Sequence, residues 1–214
     1  MSDKAIIADN QQGSPEIIIL KDPSETTRRA PFVENQIKAY FLGALHDATF
    51  SSSKRFRISQ KGSEWLKILR KLLKRIGYNS WIYKEGKNRD IYVLETLANF
   101  LDFKFNPLKL KTKGERICYI RGFFDAEGGI PKSKDARFYI QLVQKDKDKI
   151  QKLKEMLKEL GIMSGKIHNP SQRVDPYYWR IFILAKSQRN FVETINSWHP
   201  RKTKTLNERF SKKG

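Results

Sequence analysis

The chain has 214 residues and a formal charge of +20, with 43 Lys and Arg against 23 Asp and Glu. That balance calls for a polyanionic partner, while 39% hydrophobic and 12% aromatic residues exclude a basic disordered tail. The single cysteine, Cys118, excludes an internal disulfide, no Cys/His group has zinc spacing, and the run Ile17 to Leu20 is too short to span a membrane; a reducing, intracellular setting is expected (cytoplasm, nucleoid or organelle matrix).

Residues 1–30 read as a polar leader with one short extended segment between two breaker-rich stretches. A first half, 31–105, begins with a helix predicted from Pro31 to about Asp47. A strand follows over Arg55–Gln60, its alternation setting Arg55, Arg57 and Ser59 on one side and Phe56, Ile58 and Gln60 on the other. An amphipathic helix from Ser63 to Arg75 stops at Gly77, and its outer lysines read as merely solvated. Strands over Ser80–Lys84 and Asp90–Glu95 flank the turn 85–89, and a short helix is predicted to Leu101. After a basic linker, 106–114, the second half, 115–200, repeats this order. It is predicted to hold a motif helix, a strand over Arg137–Gln144, a helix over Asp146–Leu160, strands over Ser164–His168 and Tyr177–Leu184, and a helix over Ser187–Trp198. Residues 201–214 read as a basic tail. Gln60 precedes Gly77 by 17 positions (77 − 60), as Gln144 precedes Gly161 (161 − 144), so the repeat shows in spacing as well as in pattern.

Two apolar stretches head the halves: Tyr40 to Thr49 and Tyr119 to Gly128, each with a central glycine, Gly43 or Gly122. Small residues four apart (Ala39 and Gly43; Cys118, Gly122 and Ala126) give each helix a nearly bare face, so the two can pack glycine to glycine. Each ends in an acid, Asp47 or Glu127, set against the negative end of the helix dipole, which points to a shared cation. Cys118 reads as a small core residue, His46 as a satisfied polar neighbour, Asp125 as pairing nearby groups, and Trp65, Trp81, Trp179 and Trp198 as core or sheet-edge aromatics.

Ile120-Arg-Gly-Phe-Phe-Asp-Ala-Glu-Gly128 and its partner around Gly43 resemble the paired motifs of single-chain LAGLIDADG homing endonucleases, of the archaeal intron-encoded type. The resemblance covers roughly residues 35–200. Its second copy fits position for position, with Glu127 at the metal-binding acid. In the first, five residues on from Gly43 is Ala48 and Asp47 is only four on. Either Asp47 serves, its last turn tightened to 3₁₀ geometry, with Ala48 adding its backbone if the motif is shifted, or that site has lost its acid; Asp47 is the expectation taken. The resemblance implies an α+β fold of two pseudo-symmetric αββαββα halves with saddle-shaped antiparallel sheets around a central two-helix interface. It also implies that Gln60 and Gln144 orient water and that Lys61 and Lys145 support the transition state.

The sheets' polar faces, carrying Arg55, Arg57, Lys84, Arg89, Arg137, Tyr139, Gln141 and Arg180, are expected to meet the major groove of double-stranded DNA. Two or more Mg²⁺ ions held by Asp47, Glu127 and the scissile phosphate would support hydrolysis. The expected protein is a monomeric, free-standing, intron-encoded, site-specific DNA endonuclease without an obligatory protein partner; the resemblance implies a long target cut across the minor groove. The alternatives are a splicing maturase that binds intron RNA and has lost cleavage, and a DNA-binding regulator on the same scaffold.

Overall fold

The two helices that carry Gly43 and Gly122 lie at the centre of the molecule, because the small residues spaced four apart let their backbones approach closely. In the computed structural model, which describes residues 31–51, 55–133 and 135–211, these are α1, Pro31–Ala44, and α3, Lys113–Glu127. Ile37, Tyr40, Phe41 and Ala44 of α1 and Ile117, Ile120, Phe123 and Phe124 of α3 are fully buried. The start of α3 is fixed by a capping box: Thr112 Oγ1 accepts from the Glu115 N–H at 3.1 Å, and the Glu115 carboxylate accepts from the Thr112 N–H at 3.2 Å.

The first half continues through a 3₁₀ turn, Leu45–Asp47, then β1 (Ala48–Phe50), β2 (Phe56–Lys61), α2 (Glu64–Arg75), β3 (Ser80–Lys84) and β4 (Ile91–Thr96). Its strands form an antiparallel sheet in the order β1-β2-β4-β3. After α3 the second half adds β5 (Gly128–Gly129), β6 (Gln141–Gln144), α4 (Lys147–Glu159), β7 (Trp179–Phe182) and α5 (Ala185–Thr194), with the antiparallel sheet β5-β6-β7. A last helix, α6, spans Pro200–Phe210. The α+β architecture of two sheeted halves on a two-helix centre is as expected. The repeat extends to the helix stops: Gly77 (φ +87°) ends α2 and Gly161 (φ +73°) ends α4, and the next residue's N–H returns to the helix in both, Tyr78 to Leu73 O and Ile162 to Leu157 O.

Several expectations need correction. No helix leads to Leu101; residues 97–105 form isolated turns, because Asp102 turns its carboxylate onto the Lys104 N–H and Asn99 is held by the Tyr78 hydroxyl. The strand expected from Arg137 begins only at Gln141, since its partner β5 is two residues long and Pro131, which has no N–H to donate, follows closely. The strand expected over Ser164–His168 is reduced to two bridges, Ser164 with Ile183 and His168 with Arg180. The helix expected to run to Trp198 stops at Thr194, beside Asn196 in the left-handed region (φ +54°). The 106–114 linker holds a 3₁₀ turn, Pro107–Lys109, and runs into α3 itself. The basic tail is a correction of another kind: residues 200–210 are helical, with Leu206 and Lys202 buried. The 1–30 leader expectation lies outside the described residues.

Candidate active site

The bare faces of α1 and α3 meet as their spacing predicts. A methyl added to Gly43 would overlap Tyr119 O and lie 2.8 Å from Phe123 N; one added to Gly122 would overlap Tyr40 O and lie 3.0 Å from Ala44 N. These contacts are reciprocal with one offset, 119 − 40 = 122 − 43 = 123 − 44 = 79, which is the signature of a twofold relation. Each glycine therefore packs on the other helix's backbone.

Beyond the seam the offset changes by one. Ala48 pairs with Ile58 and Gly128 with Leu142, and Ile58 and Leu142 each stand two residues before Gln60 and Gln144. In the strands, then, Ala48 is the counterpart of Gly128 (128 − 48 = 80), and the residues preceding them, Asp47 and Glu127, are counterparts. The missing residue is absorbed in the Leu45–Asp47 3₁₀ turn, which has about three residues per turn where an α-helix has 3.6. Glu127 is the half-buried last residue of α3.

A divalent ion fits this end of the seam. Neither α1 nor α3 carries a basic side chain in its last turn, and His46 is neutral, its imidazole held down to about 3 by burial and by Lys149. Two backbone carbonyls of the last turn of α3, those of Phe124 and Asp125, are already taken by Lys202 Nζ. Carboxylates completed by phosphate oxygens suit Mg²⁺, which needs no all-protein cage; among the described residues no group of three or more His, Cys, Asp or Glu forms one.

The two glutamines lie on the core-facing side of their strands, Gln60 opposite Tyr92 and Gln144 opposite Trp179. Gln60 and Lys61 line a cleft of about 580 Å³ between the halves, with Lys132, His199, Arg201 and Thr205 on its far side. Gln144 is bonded to the other half: its Nε2 lies 2.7 Å from His46 Nδ1, and its Oε1 accepts from the N–H groups of Lys145 and Asp146. Lys61 and Lys145 are exposed.

Behind the seam Asp125 is fully buried, and it accepts from the Tyr40 hydroxyl (2.7 Å), the Ser197 hydroxyl and the Trp198 N–H (2.9 Å). Trp65 Nε1 donates to Tyr40 Oη at 2.9 Å, so α2, α1, α3 and the segment before α6 are tied at one carboxylate. Burial pushes the Asp125 carboxyl up, against the opposing pull of Lys202, Ser197 and Tyr40. Buried Arg121 donates to Ile195 O and lies over Trp198. Cys118 is an inert core thiol, pushed up to about 11 by burial.

Strand register sorts the expected DNA-contacting residues. Arg57, Glu95 and Trp81 share the outer face of the first sheet, where Ser59, Val93 and Tyr83 stand opposite one another. Arg55 lies 3.2 Å from Glu95 and over Trp81, and Arg57 bridges Glu95, Glu85 and the Tyr83 hydroxyl. Against the penalty of desolvation, Tyr83 and the two arginines hold the Glu95 carboxyl below its ordinary value. Lys84 is a correction: it pairs with Tyr92, on the side of Gln60, Ile82 and Leu94, because it is even-numbered in a strand whose odd residues face outward. In the second sheet Gln141 and Arg180 do share the outer face, Arg180 donating to His168 Nε2 at 3.0 Å. Arg137 and Tyr139 precede the strand, with Tyr139 edge-on to Phe182, and Arg89 is exposed in its turn. Trp81, Tyr83 and Glu95 were not anticipated on this surface, although the alternation of Ser80–Lys84 put both aromatics on one side.

Residues 115–196 match the model of the LAGLIDADG-like domain. Homing endonuclease I-ApeI of Aeropyrum pernix is 33% identical over 106 residues, 49% of this chain and 43% of its own length, so the match spans less than half of that relative. Among solved structures, I-DmoI in complex with DNA and Mn superposes with a TM-score of 0.57 at 22% identity, covering 76% of this chain and 97% of I-DmoI. Full-length DUF199/WhiA from Thermatoga maritima gives 0.62 at 14% identity, covering 90% and 66%. At these identities the solved structures establish the fold. Among the described residues no helix is long and apolar enough to cross a membrane.

Proposed function

We propose that this chain, whose residues 115–196 match the LAGLIDADG-like domain and whose first half repeats the same order of elements, is a site-specific, double-strand DNA endonuclease that works as a monomer with Mg²⁺ or a similar divalent ion. The observation that carries this reading is the reciprocal Gly43/Gly122 seam with Asp47 and Glu127 at matching backbone positions at its end. A maturase or regulator would have no need to keep an acid in register on both sides of a one-residue deletion.

In this reading Asp47 and Glu127 hold the metal, with the Ala48 backbone beside them. Bound there, a divalent ion supplies charge neutralisation at the scissile phosphate and lowers the pKa of water. Gln144 meets the reacting groups as a donor, since its carbonyl lone pairs are both occupied and one amide hydrogen is not. Lys61 and Lys145 place ammonium groups beside the glutamines, and Lys132 and Arg201 extend the cationic wall of the cleft along the DNA backbone. The outer faces, with Arg55, Arg57, Gln141 and Arg180, enter the grooves, and Arg137 and Arg89 lie at their margins. The Glu95 network holds the two first-sheet guanidiniums in fixed orientations, and with Arg57 Nη2 given to Tyr83 and Glu85 that residue presents its Nη1 donors to a base edge.

The test is incubation of the full chain and Mg²⁺ with a plasmid carrying its insertion sequence. Linear product is expected. Intact plasmid together with tight binding of intron RNA would replace the nuclease with the maturase.

A further inference from the structure

A β-bulge in the second half turns a histidine outward. Ser164 stands opposite Ile183 and His168 opposite Arg180, so four steps of chain (168 − 164) run against three on β7 and its continuation (183 − 180). The surplus residue lies within 165–167, where Lys154 Nζ donates to the Gly165 carbonyl at 3.0 Å. Without it, alternation would set His168 against Trp179, on the side of Gln144. With it, Ile167 packs on the core and His168 joins Arg180, Gln141 and Phe182 on the outer face. His168 and Arg180 exchange both backbone hydrogen bonds (3.0 and 3.1 Å), and the Arg180 Nε–H donates to His168 Nε2 at 3.0 Å. Across the ring, Nδ1 lies 3.2 Å from the Lys166 carbonyl, which can only accept, whereas an arginine Nε can only donate. Both neighbours therefore demand the same neutral ring, protonated at Nδ1 and bare at Nε2. Phe182 floors the pair: the imidazole stacks on it at 5.8 Å and 27°, and the guanidinium lies 5.0 Å over it. The bond uses Nε–H and leaves the paired Nη1 and Nη2 hydrogens at the tip of the fork.

We propose that His168 is the positioning residue that makes Arg180 specific for guanine, holding it so that its two Nη groups meet the O6 and N7 of one guanine in the major groove. This rests on the nuclease reading, in which the outer sheet faces enter the grooves. Guanine carries two acceptors side by side on its major-groove edge, which is what two parallel N–H donors require. A guanidinium free to turn on its long stem would satisfy a phosphate equally well. One tied at Nε and laid on an aromatic ring has lost that freedom before DNA arrives, so the ordering cost falls on folding and not on binding. His168 touches no base and acts through Arg180.

Anisotropy titration of the full chain against duplexes of its insertion sequence, with each base pair replaced in turn, tests this. In the wild type one G·C pair should stand out whose replacement weakens binding about 5- to 150-fold, the usual discrimination of a bidentate pair. Arg180→Ala should erase the preference at that pair alone. His168→Phe keeps a ring on Phe182 but removes the acceptor, and it should bring that penalty down to a few-fold while the preferences at other pairs stand. His168→Gln, whose Oε1 reaches near the lost Nε2, should restore it. A merely structural role would instead weaken every duplex by the same factor. Such uniform weakening, an unchanged pattern in His168→Phe, or an Arg180-dependent preference for another base would overturn the proposal. A second measurement needs no DNA: long-range ¹⁵N–¹H correlation in mildly alkaline buffer should find His168 protonated at Nδ1 and bare at Nε2, and the opposite tautomer would also overturn it. Failure of the wild type to bind any of the duplexes sinks the nuclease reading and this inference with it, whereas tight binding with the wrong pattern sinks this inference alone.

Discussion

Single side chains set how this site responds to substitution and to pH. Glu127→Gln and Asp47→Asn each remove a charge that the proposed metal needs while keeping shape, so both are expected to abolish cutting yet leave DNA affinity within a few-fold, as read by gel shift beside a cleavage assay. Cutting by Asp47→Asn at the wild-type rate would mean that the register argument picks the wrong residue. His199 sets a pH limit on stability. It stacks on Trp65 with centroids 5.4 Å apart, and burial, then Lys202 and Arg201, lower its pKa to about 4. Because the folded pKa lies below the unfolded value of about 6.5, the unfolded chain binds the extra proton between the two. The contribution is complete above about 6.5 and is lost as pH falls toward 4. His199→Gln should therefore lose less melting temperature than the wild type over that interval, and parallel curves would exclude the effect.

At the level of elements, the seam tolerates no side chain. Gly122→Ala puts a methyl group onto the backbone of α1, which has no flexible end to move aside, and should cost at least about 3 kcal/mol. In a chain of this size that is a fall in Tm of roughly 6–12 °C. Gly77→Ala meets no atom within 4 Å but is strained by φ +87°, and should cost only about 1 kcal/mol. These two glycines were legible in the sequence because each serves a local pattern, a four-residue spacing in one case and a helix stop in the other. The α6 helix was not. Its Lys202 reads as a solvent charge until one knows that the residue reaches the carbonyls of Phe124 and Asp125, and Leu206 alone makes no stripe. The second sheet was overread for a related reason: alternation shows which side a residue faces but not how long its partner strand is. Counting five from Gly122 reaches Glu127, but the same count from Gly43 reaches Ala48, so the placing of Asp47 opposite Glu127 needed the strand register; the bond between His46 and Gln144 joins residues 98 positions apart and left no trace in either neighbourhood.

For the whole molecule, the charge of +20 means that affinity for DNA should depend steeply on salt. If the clefts and sheet faces engage about 6–10 phosphates, binding should weaken by roughly 10³- to 10⁵-fold between 50 and 200 mM salt. Fluorescence anisotropy across that range gives the slope directly, and a flat line would be incompatible with a nucleic-acid partner. Stability at this scale depends on the Asp125 carboxylate, on which elements of both halves converge. Lys202→Met leaves that buried acid without its nearby cation and should cost about 3–5 kcal/mol, visible as a lowered Tm. The donor to Phe124 O lies 78 residues downstream of its acceptor. At ordinary rates of translation, roughly 5–20 residues per second, a ribosome that has completed α3 needs about 4–16 s more to supply the ammonium group that fastens it. A nascent chain thus emerges with α3 made and the anchorage of its last turn still unwritten, so the fastening of that helix end arrives only with the distal part of the message.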